Sequence, residues 1–126
     1  MKRQRLVVLG MMGRCPYGGQ TWLYLNWLRG LARLGHDVWY VEDDATWPYD
    51  PRVDSITDSP SYAASHLERS MAGVGLGGRW AYRPLFKGRD VCLGLPVSRL
   101  LELYRDCDSF TRLSIAETMM SRPPRA

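Results

Sequence analysis

The chain has 126 residues, of which 45% are hydrophobic and 24% charged, and its formal net charge is +4. This length and composition are typical of one globular domain with a hydrophobic core, and they exclude a disordered chain. The excess of basic residues lies at the two ends, at Lys2, Arg3 and Arg5 and again at Arg122 and Arg125. Because these residues do not form one basic helix face with interleaved aromatics, no nucleic-acid partner is predicted.

The three cysteines, Cys15, Cys92 and Cys107, are far apart and form no CxxC pair. This spacing indicates neither a zinc site nor a disulfide scaffold, and it favours a reducing compartment. The apolar run at residues 6–9 is too short for a signal peptide, and no run approaches the roughly 18 residues of a membrane span. The sequence therefore predicts a cytoplasmic protein with no transmembrane segment and no metal.

The first forty residues predict a strand, a helix and a second strand. Residues 6–9 are a continuous apolar run, typical of a central parallel strand, and a loop with four glycines follows over residues 10–19. A helix is predicted from Gln20 or Thr21, with Thr21 as a candidate cap, to about Leu34, and Gly35 ends it. Residues 38–41 form the second strand, and together these elements are a right-handed βαβ unit. The stripe of this helix expected to face the sheet comprises Trp22, Leu25, Leu28, Leu31 and Ala32.

The rest of the chain predicts a weaker alternation of the same elements. Residues 47–51 form a proline-stiffened aromatic loop, and a polar linker leads to a helix capped by Ser59. A short strand at 80–82, a helix at 98–106 with Leu100, Leu101 and Tyr104 inward, and a strand at 109–115 follow. Residues 1–115 are thus predicted to be one α/β domain, a Rossmann-like parallel sheet with flanking helices, and residues 116–126 a disordered tail.

The glycine loop is the most informative candidate site. Glycines before a helix allow close backbone approach, and the first turn of the helix attracts an anion, typically a diphosphate. The same glycines could instead only shape a tight turn. The dinucleotide spacing GxGxxG is not met, because Met12 and Cys15 occupy glycine positions, and no Lys-Ser/Thr pair makes a P-loop. Glu42 and Asp43 after the second strand could meet a ribose in an NAD-binding fold, or lie in a solvated loop.

Other polar and aromatic residues have weaker signals. His36 is interpreted as a turn residue and His66 as part of an exposed helix face, so a Ser/His/Asp hydrolase is not predicted. Trp47 and Tyr49 follow the carboxyl end of a strand and are candidates for stacking on a sugar or base.

Four segments together resemble the start of a GT-B glycosyltransferase of the bacterial family 1 or family 4 type. They are residues 5–10, the Pro-Tyr-Gly-Gly of 16–19, the Gly-Leu-Ala-Arg-Leu-Gly-His-Asp-Val of 30–38, and the Tyr-Val-Glu-Asp of 40–43. The match covers about residues 5–51, with a fainter similarity from Ser98 to Phe110.

The resemblance implies an enzyme with two Rossmann-like domains, in which this chain is the acceptor-side half. It implies that Gly18, Gly19 and Gln20 bind the diphosphate of a nucleotide-sugar donor, with no metal or other cofactor. It implies that Glu42, Asp43, Trp47 and Tyr49 face the acceptor, a small molecule or glycan. No catalytic base is assigned, because residues 11–24 contain no histidine where inverting members often carry one.

A whole enzyme of this type has more than twice this length, so we expect a fragment or one piece of a split enzyme, inactive alone. A separate C-terminal donor domain, or self-association, would then complete it. Two alternatives are a small NAD- or nucleotide-binding module, with Glu42 or Asp43 on a ribose, and a non-enzymatic gene remnant.

Overall fold

The computed structural model describes residues 2–112, and these form one α/β unit. Each long element of the sequence pattern is present, and a small hairpin is added between the second strand and the second helix. The strands are β1 Arg5–Leu9, β2 Asp37–Asp44, β3 Tyr49–Asp50, β4 Ser55–Ile56, β5 Trp80–Pro84 and β6 Ser109–Arg112. The helices are α1 Gly18–Arg33, α2 Ser61–Gly73 and α3 Val97–Asp106, and a 3-10 turn spans Leu85–Lys87.

The main sheet has the order β5-β2-β1-β6, and its three pairings are parallel. The chain moves from β1 to β2 to β5 in one direction and then returns, through α3, to place β6 on the other side of β1. The strand order therefore reverses between β1 and β6, and open α/β sheets bind ligands in the crevice at this point, beyond the carboxyl ends of the strands. The predicted Rossmann-like fold class is confirmed.

Side chains alternate between the two faces of the sheet, so one strand supplies two cores. Val8 and Tyr40 face α1 and α2, whereas Val7 and Val41 face α3. The core under α1 and α2 contains the fully buried Tyr24, Leu28, Ala63, Leu67, Met71 and Tyr82. The core under α3 is smaller and includes Ala81, Leu100 and Leu103.

The inward faces of two helices differ from the predicted ones. Trp22 is 65% exposed, whereas Gln20, Thr21 and Tyr24 are buried. The α1 face against the sheet is thus rotated by about one residue at its amino end, because Thr21 contacts α2 there. In α3, Leu101 is 49% exposed and Leu103 is buried in its place.

The predicted boundaries are correct to within a few residues. Helix α1 begins at Gly18, with Tyr17 rather than Thr21 at the N-cap position, and α2 follows Pro60 rather than Ser59. Gly35 has φ of +95° and ends α1 as predicted. Residues 113–115 of the last predicted strand, and the predicted tail at 116–126, lie outside the described residues.

None of the helices found in residues 2–112 has the length and apolar character needed to cross a membrane.

We predict that Gly10→Ala lowers the free energy of unfolding by about 1–3 kcal/mol, the usual cost of overpacking a core. A Cβ on Gly10 would lie 2.6 Å from Tyr24 Cε1 and 2.7 Å from the Tyr40 hydroxyl oxygen. Gly30→Ala is the control, because nothing lies within 4 Å of its Cβ position inside α1. It should raise stability by roughly 0.5–1 kcal/mol through its helix propensity. Urea unfolding of both variants measures the difference, and equal midpoints would contradict the close approach at Gly10.

Candidate functional site

The first turn of α1 is open at the carboxyl end of the sheet. Gly18 and Gly19 are exposed, and nothing lies within 4 Å of the position that a Cβ would take on either residue. Among the described residues, no side chain caps this helix from Tyr17, and the first turn contains no acidic residue. The amide groups of such a turn carry partial positive charge and have no intrahelical partner. A ligand can therefore approach the backbone here without steric hindrance.

Gln20 and Thr21 are the next two residues of this turn, and both are buried. Gln20 is 6% exposed, and its side-chain Nε2 has no hydrogen-bond partner within the described part of the chain. The Thr21 hydroxyl lies 2.9 Å from Nε2 of His66, which joins the first turn of α1 to α2. The Gln20 amide also interacts with the hydroxyl of the buried Tyr24, one turn further along α1.

The glycine loop is held in place by Glu42, which is 1% exposed. Its carboxylate accepts hydrogen bonds from the backbone N–H of Gly13 at 2.7 Å and of Arg14 at 3.2 Å. It also accepts from Nε of Arg14 at 3.0 Å and from the Tyr40 hydroxyl at 2.8 Å. The same hydroxyl accepts from the N–H of Met12 at 2.9 Å. Glu42 therefore determines the path of the chain from β1 to α1.

The charge of Glu42 is balanced within the loop. Burial raises the pKa of the Glu42 carboxyl, and the Arg14 charge, the Gly13 amide and the Tyr40 hydroxyl oppose that rise. All of these neighbours donate to or attract a carboxylate, so the geometry fits the ionised form. Arg14 also donates from Nη2 to the Gly10 carbonyl at 2.9 Å and lies 3.3 Å from Asp44. Arg14 thus ties both ends of the loop to β2.

Asp43 lies on the opposite face of the sheet from Glu42. Its carboxylate accepts two hydrogen bonds from Arg83, at 2.9 and 2.7 Å, and one from the Tyr104 hydroxyl at 2.7 Å. These contacts join β2 to β5 and α3. The structure therefore separates the two predicted acceptor carboxylates and engages both of them inside the domain, so a ligand would reach Glu42 only through the loop that it holds.

The two predicted aromatic residues lie at different places. Trp47 is 48% exposed, and its ring centroid is 6.2 Å from that of Phe86 in the 3-10 turn. Tyr49 stacks on Tyr17 with 5.6 Å between centroids, and its N–H donates to the Arg14 carbonyl at 2.8 Å. A hydrogen bond from the Tyr49 hydroxyl to Asp54 raises the pKa of Tyr49 to about 12. Tyr49 therefore adjoins the predicted diphosphate site, whereas Trp47 packs on the loop after β5.

Sequence reasoning missed the residues that α2 brings to this edge. His66, predicted to be exposed, is half-buried against Thr21 and stacks on Tyr62 at 6.1 Å with an interplanar angle of 13°. Tyr62, His66 and Arg69 stand at i, i+4 and i+7 and so share one helix face. That spacing is visible in the sequence, but nothing in it indicates that this face turns towards α1.

A shallow groove runs along the outer side of α1, away from the first turn. It has a volume of about 470 Å³ and an apolar lining of Leu23, Trp27, Leu31 and Leu34 beside Asn26 and Gly30. Trp27 is 42% and Leu34 58% exposed.

Within residues 2–112, no three His, Cys, Asp or Glu side chains come together as a metal ion would require. No family model matches this chain, and neither does any curated protein or solved structure. The functional interpretation therefore depends on the residues and geometry described above.

We predict that Glu42→Gln lowers the free energy of unfolding by about 1–3 kcal/mol, the cost of leaving buried hydrogen-bond donors without an acceptor; Asp44 still balances part of the Arg14 charge. The substituted amide would place N–H groups against the donors of Gly13, Arg14 or Tyr40. Glu68→Gln on the exposed surface of α2 is the matched control and should change stability by less than about 0.5 kcal/mol. Urea unfolding gives the two values, and hydrogen exchange at the Gly13 and Arg14 amides should accelerate in Glu42→Gln alone. Equal stability of the two variants would contradict the role assigned to Glu42.

Proposed function

We propose that this chain is the N-terminal, acceptor-side part of a glycosyltransferase that moves a sugar from a nucleotide-sugar donor. In this proposal the backbone amides of Gly18 and Gly19 and the side chain of Gln20 bind the donor diphosphate. The acceptor approaches beside Tyr49 and Trp47. A second domain supplies the rest of the donor pocket, and catalysis requires both.

The observation that carries the proposal is the open first turn of α1. Gly18 and Gly19 have free space where side chains would be, at the carboxyl edge of a parallel sheet and next to the point where strand order reverses. Anions bind at helix N-termini of this kind, and ligands of α/β sheets bind at this edge. Gln20 belongs to the same turn, and in this proposal its side-chain amide contributes a further hydrogen-bond donor.

The position of Tyr49 supports an acceptor next to the donor. Tyr49 stacks on Tyr17, which directly precedes Gly18, and Tyr17 is 58% exposed. Exposed aromatic rings are common stacking surfaces for sugars and bases. A ring pair beside the first turn of α1 would therefore place the acceptor within reach of a donor bound by that turn.

The carboxylates that a dinucleotide would use are engaged elsewhere. Glu42 is buried under the glycine loop, and Asp43 is paired with Arg83 and Tyr104. Neither Glu42 nor Asp43, the two carboxylates expected to meet a ribose in the NAD-binding alternative, is therefore available to one, which counts against that alternative.

The test is a titration of the ¹⁵N-labelled chain with UDP and, separately, with NAD. UDP is expected to shift the amide signals of residues 18–20, with a Kd of about 1 mM, corresponding to roughly −4 kcal/mol for an isolated half-site. Gly19→Leu should weaken UDP binding by about tenfold or more, because the side chain would cover amides that the diphosphate approaches.

Gly30→Leu is the control substitution, since Gly30 is also exposed within α1 and has open space around it. It should leave UDP binding unchanged. Shifts at residues 18–20 with NAD but none with UDP would contradict the proposal, as would equal UDP affinity in Gly19→Leu and the wild type.

A further inference from the structure

One face of α2 gathers cationic and aromatic side chains next to the first turn of α1. The Tyr62 ring receives the guanidinium of Arg52 at 5.1 Å from its centroid and that of Arg69 at 5.9 Å. His66 stacks on the same ring and reaches Thr21 of α1. We call Arg52, Tyr62, His66 and Arg69 the Tyr62 cluster.

The positive charge of this cluster is only partly balanced. Arg52 forms a bidentate pair with Asp50, with hydrogen bonds of 3.1 Å from Nε and 2.8 Å from Nη2. Arg69 forms no salt bridge with any acidic residue within residues 2–112. Burial lowers the pKa of His66, and the Arg69 charge lowers it further. The cluster therefore disfavours the protonated form of His66, and the Arg69 guanidinium has no acidic partner among the described residues.

The N-terminus of α2 adds to this potential. Arg52 Nη2 lies 3.4 Å from the Ser61 hydroxyl, at the first residue of α2. The first turn of α2 has no acidic residue, and the Ser59 hydroxyl accepts a hydrogen bond from the Ser61 N–H at 3.4 Å. A helix N-terminus disfavours a nearby cation, and the Asp50 carboxylate offsets this for Arg52.

We propose that the Tyr62 cluster binds a phosphate group of the acceptor substrate, beside the donor diphosphate. The unpaired Arg69 and a protonatable His66 match a dianion better than a singly charged carboxylate. Because Thr21 contacts His66, a phosphate bound by the Tyr62 cluster would lie next to the first turn of α1. Donor and acceptor would then meet at the carboxyl edge of the sheet. The assignment of the phosphate to an acceptor rests on the proposed function, whereas the anion site itself does not.

The test follows both histidine rings by NMR during pH titrations with and without inorganic phosphate, at constant ionic strength. Phosphate is expected to raise the pKa of His66 by roughly 0.5–1 unit, because a nearby negative charge favours the imidazolium. His36, which accepts from the Gln4 N–H in the turn after α1, is the internal control and should not respond.

Two arginine variants distinguish phosphate bound at the Tyr62 cluster from general screening of charge by phosphate in solution. Arg69→Gln should weaken the phosphate effect on His66 by about tenfold, the loss expected for one charge-assisted hydrogen bond. Arg29→Gln, on the exposed side of α1 two turns from Thr21, should leave it unchanged. Equal responses of the two histidines, or equal effects of the two variants, would overturn the proposal.

The Gly19→Leu variant distinguishes this site from the diphosphate site. Loss of the phosphate effect in Gly19→Leu but not in Arg69→Gln would mean that phosphate binds only to α1, and the cluster proposal would be wrong. A UDP titration that leaves residues 18–20 unchanged, with His66 still responding to phosphate through Arg69, would instead overturn the proposed function and leave the anion site standing.

Discussion

The geometry of the carboxyl edge depends on the buried carboxylate of Glu42. Alternation along β2 places it on the same face as Tyr40, under the loop that leads from β1 to α1. Two loop amides and the Arg14 guanidinium converge on it, so the loop cannot move without losing several hydrogen bonds at once. Burying an ion pair costs desolvation free energy that apolar residues would avoid. The hydrogen bonds to Glu42 offset this cost and specify one conformation of the loop.

The carboxyl edge of the sheet also gathers charged side chains and helix ends. Helices that follow parallel strands start at the carboxyl ends of those strands, and the first turn of α1 contacts α2 through Thr21 and His66. The nearest carboxylates are engaged, because Glu42 and Asp44 contact Arg14 and Asp50 contacts Arg52. What remains is a surface with exposed amides at Gly18 and Gly19 and an unpaired guanidinium at Arg69. Both proposals use these groups, and the contact between Thr21 and His66 connects them.

The sequence predicted the fold well and the site less well, for identifiable reasons. The βαβ unit was predictable because its signals are local: a continuous apolar run, a helical stripe and a glycine with positive φ at position 35. The role of Glu42 was not, since its partners at positions 13 and 14 lie 29 and 28 residues away along the chain. A carboxylate at the end of a strand has the same local pattern whether it meets a ribose or a buried loop amide.

The errors on the helices have the same origin. Trp22 fits an apolar stripe as well as Tyr24 does, but in the structure Tyr24 packs in the core and Trp22 is exposed. The contact of Thr21 with His66 belongs to the same inward face. The surroundings of His66 depend on how α2 packs on α1, because its partner Thr21 lies 45 residues away in the sequence. Periodicity therefore identifies the element, and tertiary packing selects the face that turns inward.

Arg14 has a consequence for the kinetics of binding at this edge. Its guanidinium bridges the Gly10 carbonyl, Glu42 and Asp44, which fixes the conformation of the loop without a contribution from the proposed ligand. A preformed site loses little conformational entropy on binding and has no ordering step to wait for. Ligands at the first turn of α1 should therefore associate close to the encounter rate and leave quickly, so that weak binding appears as fast exchange rather than as a slow rearrangement.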